Sequence, residues 1–501
     1  MRKWYGYAGA MVLVAALFGC SEEVDQGTRC GEGEVLNPVS GNCTVDTGTG
    51  GDSDSDSDGV GDGDGVGNGD GNGDGPGEIH SCGAGNPPTL LSGTVRIPSG
   101  ELPLPGVSVY VPRNEPAPIE TGAECRPCDS ELREFDAVAH GTTNLSGDFL
   151  LSDVPAGTNI PLVIEVGKWR RQVVIPEIRA CEHNIIDDLE LTRLPRNSEE
   201  GDIPRFAVTT GEFDAMECLF RKIGIDDSEF STEAGDGRVH LFAGRGGTDR
   251  FANTMNNGAS FTRGWDWWDN LENLMEYDIV VHSCEGNAYL SDKSTQARQA
   301  LLDFTESGGR AFLSHWHKVW LRDGPADFQS VATWMSQEAI TGAGLEPEMG
   351  YIDNSFFKGQ QLEDWMHLTG TEPRGEFPIR DTRGSIESIN EAFAQQWIWI
   401  EPGEFELPGF PGLPPGLFPD PLDEMVQYFS FNTPVTAPEE DQCGRVVFSD
   451  IHVAAGDTSS VEHPFPNGCR NEALTPQEKA LVFMLFDLSR CIISDKSSAG
   501  F

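Results

Sequence analysis

The chain has 501 residues, 38% of them apolar, enough for two or three domains with cores of their own. Its 34 basic residues face 81 acidic ones, a formal charge of -47. With no basic patch or stripe, the chain would repel a polyphosphate backbone, which excludes nucleic acid as a partner.

In chain order, the first element is a secretory signal over residues 1–19. Arg2 and Lys3 precede an apolar run from Ala8 to Phe18 that is too short to be a stable membrane span. The ending Leu17-Phe18-Gly19-Cys20 resembles a bacterial lipobox. That resemblance implies that Cys20 is diacylated, becomes the mature N-terminus and anchors the chain in a membrane, palmitate being one such acyl group. Ser21 after it is compatible with the outer membrane.

Export makes the other cysteines disulfide candidates. Of 12, setting Cys20 aside leaves 11, an odd number, so at least one thiol is free or pairs between chains. Residues 20–45 hold the anchor and a small loop bracketed by Cys30 and Cys43. Cys125 and Cys128 form a Cys-x-x-Cys, for which a structural bridge to Cys82 or Cys181 is expected.

Residues 46–79 are almost wholly Asp, Gly, Ser and Asn and cannot bury apolar area. They form an extended, self-repelling tether, on the order of 30 Å as a coil and roughly 110 Å at full stretch. Within it Asp54, Asp56, Asp58 and Asp62 surround Gly59 as in the start of a calcium loop. The stretch resembles thrombospondin type 3 repeats. Gly65 stands where an EF-hand would place its bidentate Glu, so the expectation is a solvated tether with weak calcium binding at most.

From 80 to 196 the pattern is short alternating strands with turn punctuation, such as Val107, Val109, Val111 and Phe149, Leu151, which predicts a β-sandwich. Thr143, Gly147, Phe149, Val154, Pro155, Ala156 and Gly157, with Gly106, Val107 and Val109 upstream, resemble the core motif of carboxypeptidase regulatory-like domains. The resemblance implies a non-catalytic transthyretin-like sandwich serving as spacer or binding module. A cysteine-bearing insertion between Asn114 and Val138 departs from the simplest versions.

From 201 to 495 strand-like stretches (238–244, 277–284, 309–317, 444–452) alternate with helical ones (214–223, 294–307, 476–491). That alternation predicts an α/β domain with a parallel sheet covered on both faces. Thr475, Pro476 and Glu478 give the last helix a strong start signal. The order YDIVV, LLDFTESGGRAFLSHWH, CGRVVFSDIH is similar to the flavodoxin-like, class I glutamine amidotransferase-like superfamily, above all its trehalose-utilisation-type members. The whole layout also resembles bacterial lipoproteins that carry a tryptophan synthase alpha chain label. The eightfold βα repeat that such an activity would need is absent.

Ligands in open parallel sheets bind at the carboxyl ends of strands. His315 and His317, two apart on one expected strand and so on one face, sit at such an end. His282 and Cys284 end another, Asp450 and His452 a third. Imidazoles with Asp450 are candidate ligands for zinc or another divalent ion. Cys284-x-Gly286 is half of the amidotransferase-type nucleophile elbow, which makes Cys284, His315 and His317 the catalytic candidates. Against catalysis, Cys284 comes one strand too early, His452 has no Glu in the His-x-Glu place, and the thiol could pair with Cys218.

Residues 262–271 and 395–400 hold five of the 11 tryptophans, suited to sugar stacking or a protein interface. The GRGGT turn, 244–248, could cradle an anion, and the proline-rich stretch 402–421 reads as a loop. The expectation is a lipid-anchored, non-catalytic binding or scaffolding protein of the envelope, its partner a carbohydrate or an envelope protein. The alternative is a metal-dependent hydrolase built on the histidine cluster.

Overall fold

In the computed structural model of the protein, residues 79–125, 136–339, 347–401, 424–453 and 456–496 are described, with two short strands, β1 (Glu34–Leu36) and β2 (Cys43–Val45), paired antiparallel. The signal and lipidation segment with Cys20, Cys30, the Cys43 side chain, the tether with Asp54, Asp56, Asp58 and Asp62, Cys128 and the stretch 402–421 lie outside the described residues. No helix among the described residues is long and apolar enough to cross a membrane.

Strands β3 (Leu90–Thr94), β4 (Ser108–Pro112), β5 (Ala137–Thr142), β6 (Asp148–Ser152), β7 (Gly157–Val166), β8 (Trp169–Ile178) and β9 (His183–Ile185) form two sheets, ordered β6-β3-β9 and β5-β4-β7-β8. On β6 the alternation is direct, with Phe149 and Leu151 buried and their neighbours exposed. The Thr143 hydroxyl donates to Leu104 O at 2.8 Å and accepts Val107 N–H at 2.9 Å, closing the turn between strands. Gly147 has φ +75°, and a Cβ there would stand 2.4 Å from Val95 O, so only glycine fits. Cys82 pairs with Cys181, whereas Cys125 pairs with Cys443. This corrects the expected bridge from Cys125 to Cys82 or Cys181. A distant cysteine is brought up by the tertiary fold, which spacing cannot reveal.

Next come β10 (Phe206–Thr209), β11 (Phe230–Ser231), β12 (Val239–Phe242), β13 (Ile279–His282), β14 (Arg310–Ser314), β15 (Ala332–Ala339), β16 (Glu348–Ile352), β17 (Glu376–Ile379), β18 (Gly384–Ile389), β19 (Ala394–Ile400), β20 (Met425–Thr433) and β21 (Gly444–Ser449). Ten of them make one sheet, ordered β11-β12-β10-β13-β14-β21-β20-β19-β16-β17. From β11 to β21 neighbours are parallel. In that part β12, β10, β13, β14 and β21 stand in the doubly wound order 2-1-3-4-5. The central strands are buried on both faces, which is why FAVT and IVVH each open with an apolar run and turn polar at the carboxyl end, at Thr209 and His282.

Two differences from the sequence reading matter. The sheet is mixed: the excursion between β14 and β21 adds β20, β19, β16 and β17, all antiparallel, so QQWIWI is a sheet strand. And β14 stops at Ser314, after which His315–Lys318 turn as a 3-10 helix. The expected helices form over Met216–Lys222, Thr295–Glu306 and Pro476–Ser489.

The last of these helices starts with a complete capping box, Thr475 N–H donating to Glu478 Oε2 at 2.8 Å and Glu478 N–H to Thr475 Oγ1 at 3.3 Å. It is buried nearly all round, because the sheet takes one side and the sandwich another. Phe486 meets Trp169 of β8 with ring centroids 5.5 Å apart, and Trp365 of the helix Phe357–Leu368 donates to Pro103 O at 2.8 Å. Sandwich and sheet thus share one continuous apolar core. The Cys125–Cys443 bridge, spanning 318 positions, crosses the same junction.

Candidate functional site

Three neighbouring parallel strands, β13, β14 and β21, deliver their carboxyl ends side by side. Just past those ends come Cys284, His315 and His452. One donor atom of each lies within 4.8 Å of the others, and all three residues are buried. Cys284 Sγ is 3.4 Å from His315 Nδ1, and the rings of His315 and His452 meet edge to face at 5.4 Å. His315 reaches this position with φ +34°, a left-handed backbone that non-glycine residues rarely adopt. After Cys284 the chain turns at Gly286, φ +75°, where a Cβ would strike the Phe213 ring.

His317 goes elsewhere. Its Nε2–H donates to Ser283 O at 2.9 Å and its Nδ1 accepts the Trp320 indole N–H at 2.7 Å, so both nitrogens are used. His282 packs against the rings of both Trp320 (5.2 Å, 7°) and His317 (5.1 Å, 20°), with its Nδ1 3.1 Å from Thr209 Oγ1. The expectation that His315 and His317 share a face is corrected: period-two alternation ends with the strand, and the turn sends the two rings apart. Asp450 is held by Ser385, which donates its hydroxyl at 2.6 Å and its N–H at 3.1 Å. Of the metal candidates, His315 and His452 meet with Cys284, while His317 and Asp450 are engaged by other groups and His282, its Nδ1 against Thr209, stands outside that cluster.

A buried ion pair floors the aromatic layer. Lys293 Nζ donates to Glu285 Oε2 at 2.5 Å, the two side chains being 0% and 1% exposed. The other Glu285 oxygen accepts the Arg245 N–H of the GRGGT turn at 2.8 Å. Asp214, buried behind the site, accepts from Ser314 Oγ at 2.5 Å and from Val453 N–H at 2.9 Å. Glu285 and Lys293 left only a faint sequence signal, the glutamate standing beside the conspicuous Cys284. Ser385 left none, since its strand, β18, belongs to the excursion.

Burial dominates the electrostatics. It pushes the Cys284 thiol up to about 12, although backbone groups of Trp316 and Gly286 pull the other way. It pushes Asp450 to about 7 and Asp214 to about 6, and lowers Lys318 to about 8. His282 drops to about 3 through burial and the Lys293 charge, while His315, His317 and His452 also fall well below the ordinary imidazole value. At neutral pH the cluster is therefore a protonated thiol among neutral imidazoles. That is a donor set, and a poor nucleophile, because thiolate chemistry needs a lowered cysteine pKa.

Of the other sequence candidates, Cys218 is bonded to Cys469 and leaves Cys284 as a free thiol. This excludes the Cys284–Cys218 pairing that the sequence left open. Trp267, Trp268 and Trp397 are buried core residues, so the tryptophan-rich stretches are mainly hydrophobic filling. Trp265 lies under the Arg245 guanidinium at 4.0 Å. Trp399, unlike Trp397, stays half-buried, stacked on Tyr351 with centroids 4.6 Å apart.

No family model matches the chain, and no curated protein matches it. Among solved structures it is similar to a ThuA-like protein from Bacteroides uniformis ATCC 8492, at 14% identity and a TM-score of 0.29, covering 59% of this chain and 94% of that one. A cohesin–X-dockerin complex mutant from Acetivibrio cellulolyticus is similar over 30% of this chain and 78% of that one, at 13% identity and a TM-score of 0.14.

Proposed function

We propose that this protein is an exported lipoprotein of the outer membrane, anchored through Cys20 and held off the bilayer by its acidic tether. Its folded unit joins a carboxypeptidase regulatory-like sandwich to a flavodoxin-like, glutamine amidotransferase-like layer and binds envelope carbohydrate without turning it over. The motif residues around Thr143 and Gly147 and the 2-1-3-4-5 strand order support the two assignments.

One observation carries the binding reading. Glu376, Tyr351 and Trp399 lie in one register row across β17, β16 and β19. The two stacked rings are half-buried, with exposed Met349 on the same face of β16 and the carboxylates of Glu376 and Glu401 close by. Apolar ring surface beside carboxylate acceptors suits the C–H face and hydroxyls of a sugar. Co-sedimentation of the mature protein with isolated peptidoglycan and with outer-membrane polysaccharide tests this. Binding to one of them should weaken roughly tenfold or more in Tyr351→Ala/Trp399→Ala at unchanged circular dichroism. Equal binding by the variant, or none by the wild type, discards the reading. Cys20→Ser should move the protein from the membrane to the soluble fraction, and retention in the membrane would remove the anchor.

The metal-dependent hydrolase reading draws on the grouping of Cys284, His315 and His452. Hydrolysis needs a metal-bound water and a substrate path, and these residues are only 1%, 3% and 5% exposed. The cluster favours holding an ion over turning a substrate over.

A further inference from the structure

We propose that Cys284, His315 and His452 form a thiolate and bis-imidazole site for one transition-metal ion of the zinc–copper class, held without substrate access. This goes beyond the carbohydrate-binding reading and does not depend on it. Three observations converge. The three donor atoms come from separate but adjacent strand ends and all lie within 4.8 Å of one another. Neither ring nitrogen of the buried His452 makes a hydrogen bond within the described residues, although the Asp381 backbone is near enough to favour its charged form. A buried polar atom without a partner calls for an explanation, and beside two further donor atoms a bound ion supplies one. Finally, the chain's other described cysteines are in disulfides: Cys82 with Cys181, Cys125 with Cys443, Cys218 with Cys469, and Cys491 also bridged. Cys284 is the free thiol among them.

The donor chemistry selects the ion. One sulfur and two imidazole nitrogens suit zinc or copper and do not suit magnesium or calcium, which take oxygen ligands. The nearby carboxylates, Asp214 and Asp450, are engaged by Ser314, Val453 and Ser385. They sit close enough to Cys284 to offset part of the ion's positive charge without ligating it. On coordination the Cys284 S–H bond breaks, its proton passes to solvent, and the sulfur and two nitrogen lone pairs form the metal bonds; no electron is transferred. The 3.4 Å contact from Cys284 Sγ to His315 Nδ1 is the one the ion would replace.

The test uses the mature protein, stripped of metal by a chelator without reductant so that its disulfides survive. Cobalt(II) alone is titrated first, then zinc(II) in competition, and copper(I) separately against a colorimetric chelator. Expected are one ion per chain and, with cobalt, a thiolate charge-transfer absorption in the near ultraviolet. Zinc displacing cobalt assigns the site to zinc; copper(I) binding one per chain with weak cobalt uptake assigns it to copper. Cys284→Ser should abolish the charge-transfer band and weaken binding roughly 100-fold or more, and His452→Ala should weaken it at least about tenfold, while exposed His463→Ala changes nothing. Because a core variant could misfold, the wild-type spectrum also decides by itself. Cobalt uptake without a thiolate band, no stoichiometric uptake of cobalt, zinc or copper(I), or full binding by Cys284→Ser, overturns the site.

Discussion

Lys293→Met lowers folding stability by about 3–5 kcal/mol, the cost of leaving one partner of a buried ion pair alone. The expectation rests on completeness of burial: Lys293 is 0% exposed, its ammonium lies 2.5 Å from Glu285 Oε2, and it also donates to Ala288 O at 3.2 Å. Methionine fills the space of the aliphatic stem, so the loss comes from the stranded carboxylate and not from a cavity. Of its hydrogen bonds among the described residues, Glu285 would keep the one from Arg245 N–H, with His317 Nε2 at 3.8 Å. Lys293→Met/Glu285→Gln should therefore recover much of the loss, since both charges are gone. Urea denaturation of the two variants checks this. A double variant as unstable as the single one would mean that packing, not charge, holds the site's floor.

The second large effect depends on pH. Glu217 is 1% exposed, and burial raises its carboxyl to about 8, with the charges of Asp214 and Asp457 pushing the same way and Ser459 opposing. Below the ordinary carboxyl value of 4.5, folded and unfolded chains both hold the proton, and the residue does not alter stability. Between about 4.5 and 8 the unfolded chain ionises while the folded one stays protonated, so the unfolded state gains and stability falls as pH rises. Above that range both are ionised and the deficit is complete. Glu217→Gln should match the wild type at pH 4 and exceed it by on the order of 4 kcal/mol at pH 8, read from chemical denaturation at each pH. A difference that does not vary with pH would show that Glu217 does not carry a raised pKa.

Much of the architecture could be read from the sequence because local and tertiary preferences agree there. Strands β13, β14 and β21 are short apolar runs bounded by polar residues, and the helix Pro476–Ser489 begins with its own capping box. Strands β16, β17 and β19 were not legible, because their residues mix core and half-exposed positions, and β20, though buried almost throughout, carries polar Gln427, Ser430 and Asn432 among its apolar residues. Their pairing depends on partners far away in the chain. The disulfides follow the same logic: Cys125 meets Cys443 across 318 positions.

For the site, composition and strand-end position were enough to single out Cys284, His282, His315, His317, Asp450 and His452. Only the tertiary structure decided how they divide. A two-residue spacing puts side chains on one face only while the strand continues, and β14 ends at Ser314. The left-handed turn at His315 aims that ring at Cys284 and His452, and the next turn aims His317 at Trp320 and Ser283. Such a turn costs free energy locally and persists because packing from three strands and the excursion over-determines it. The strand order that brings β13, β14 and β21 together is likewise set by burying apolar faces across the whole sheet, and no local stretch of residues encodes it.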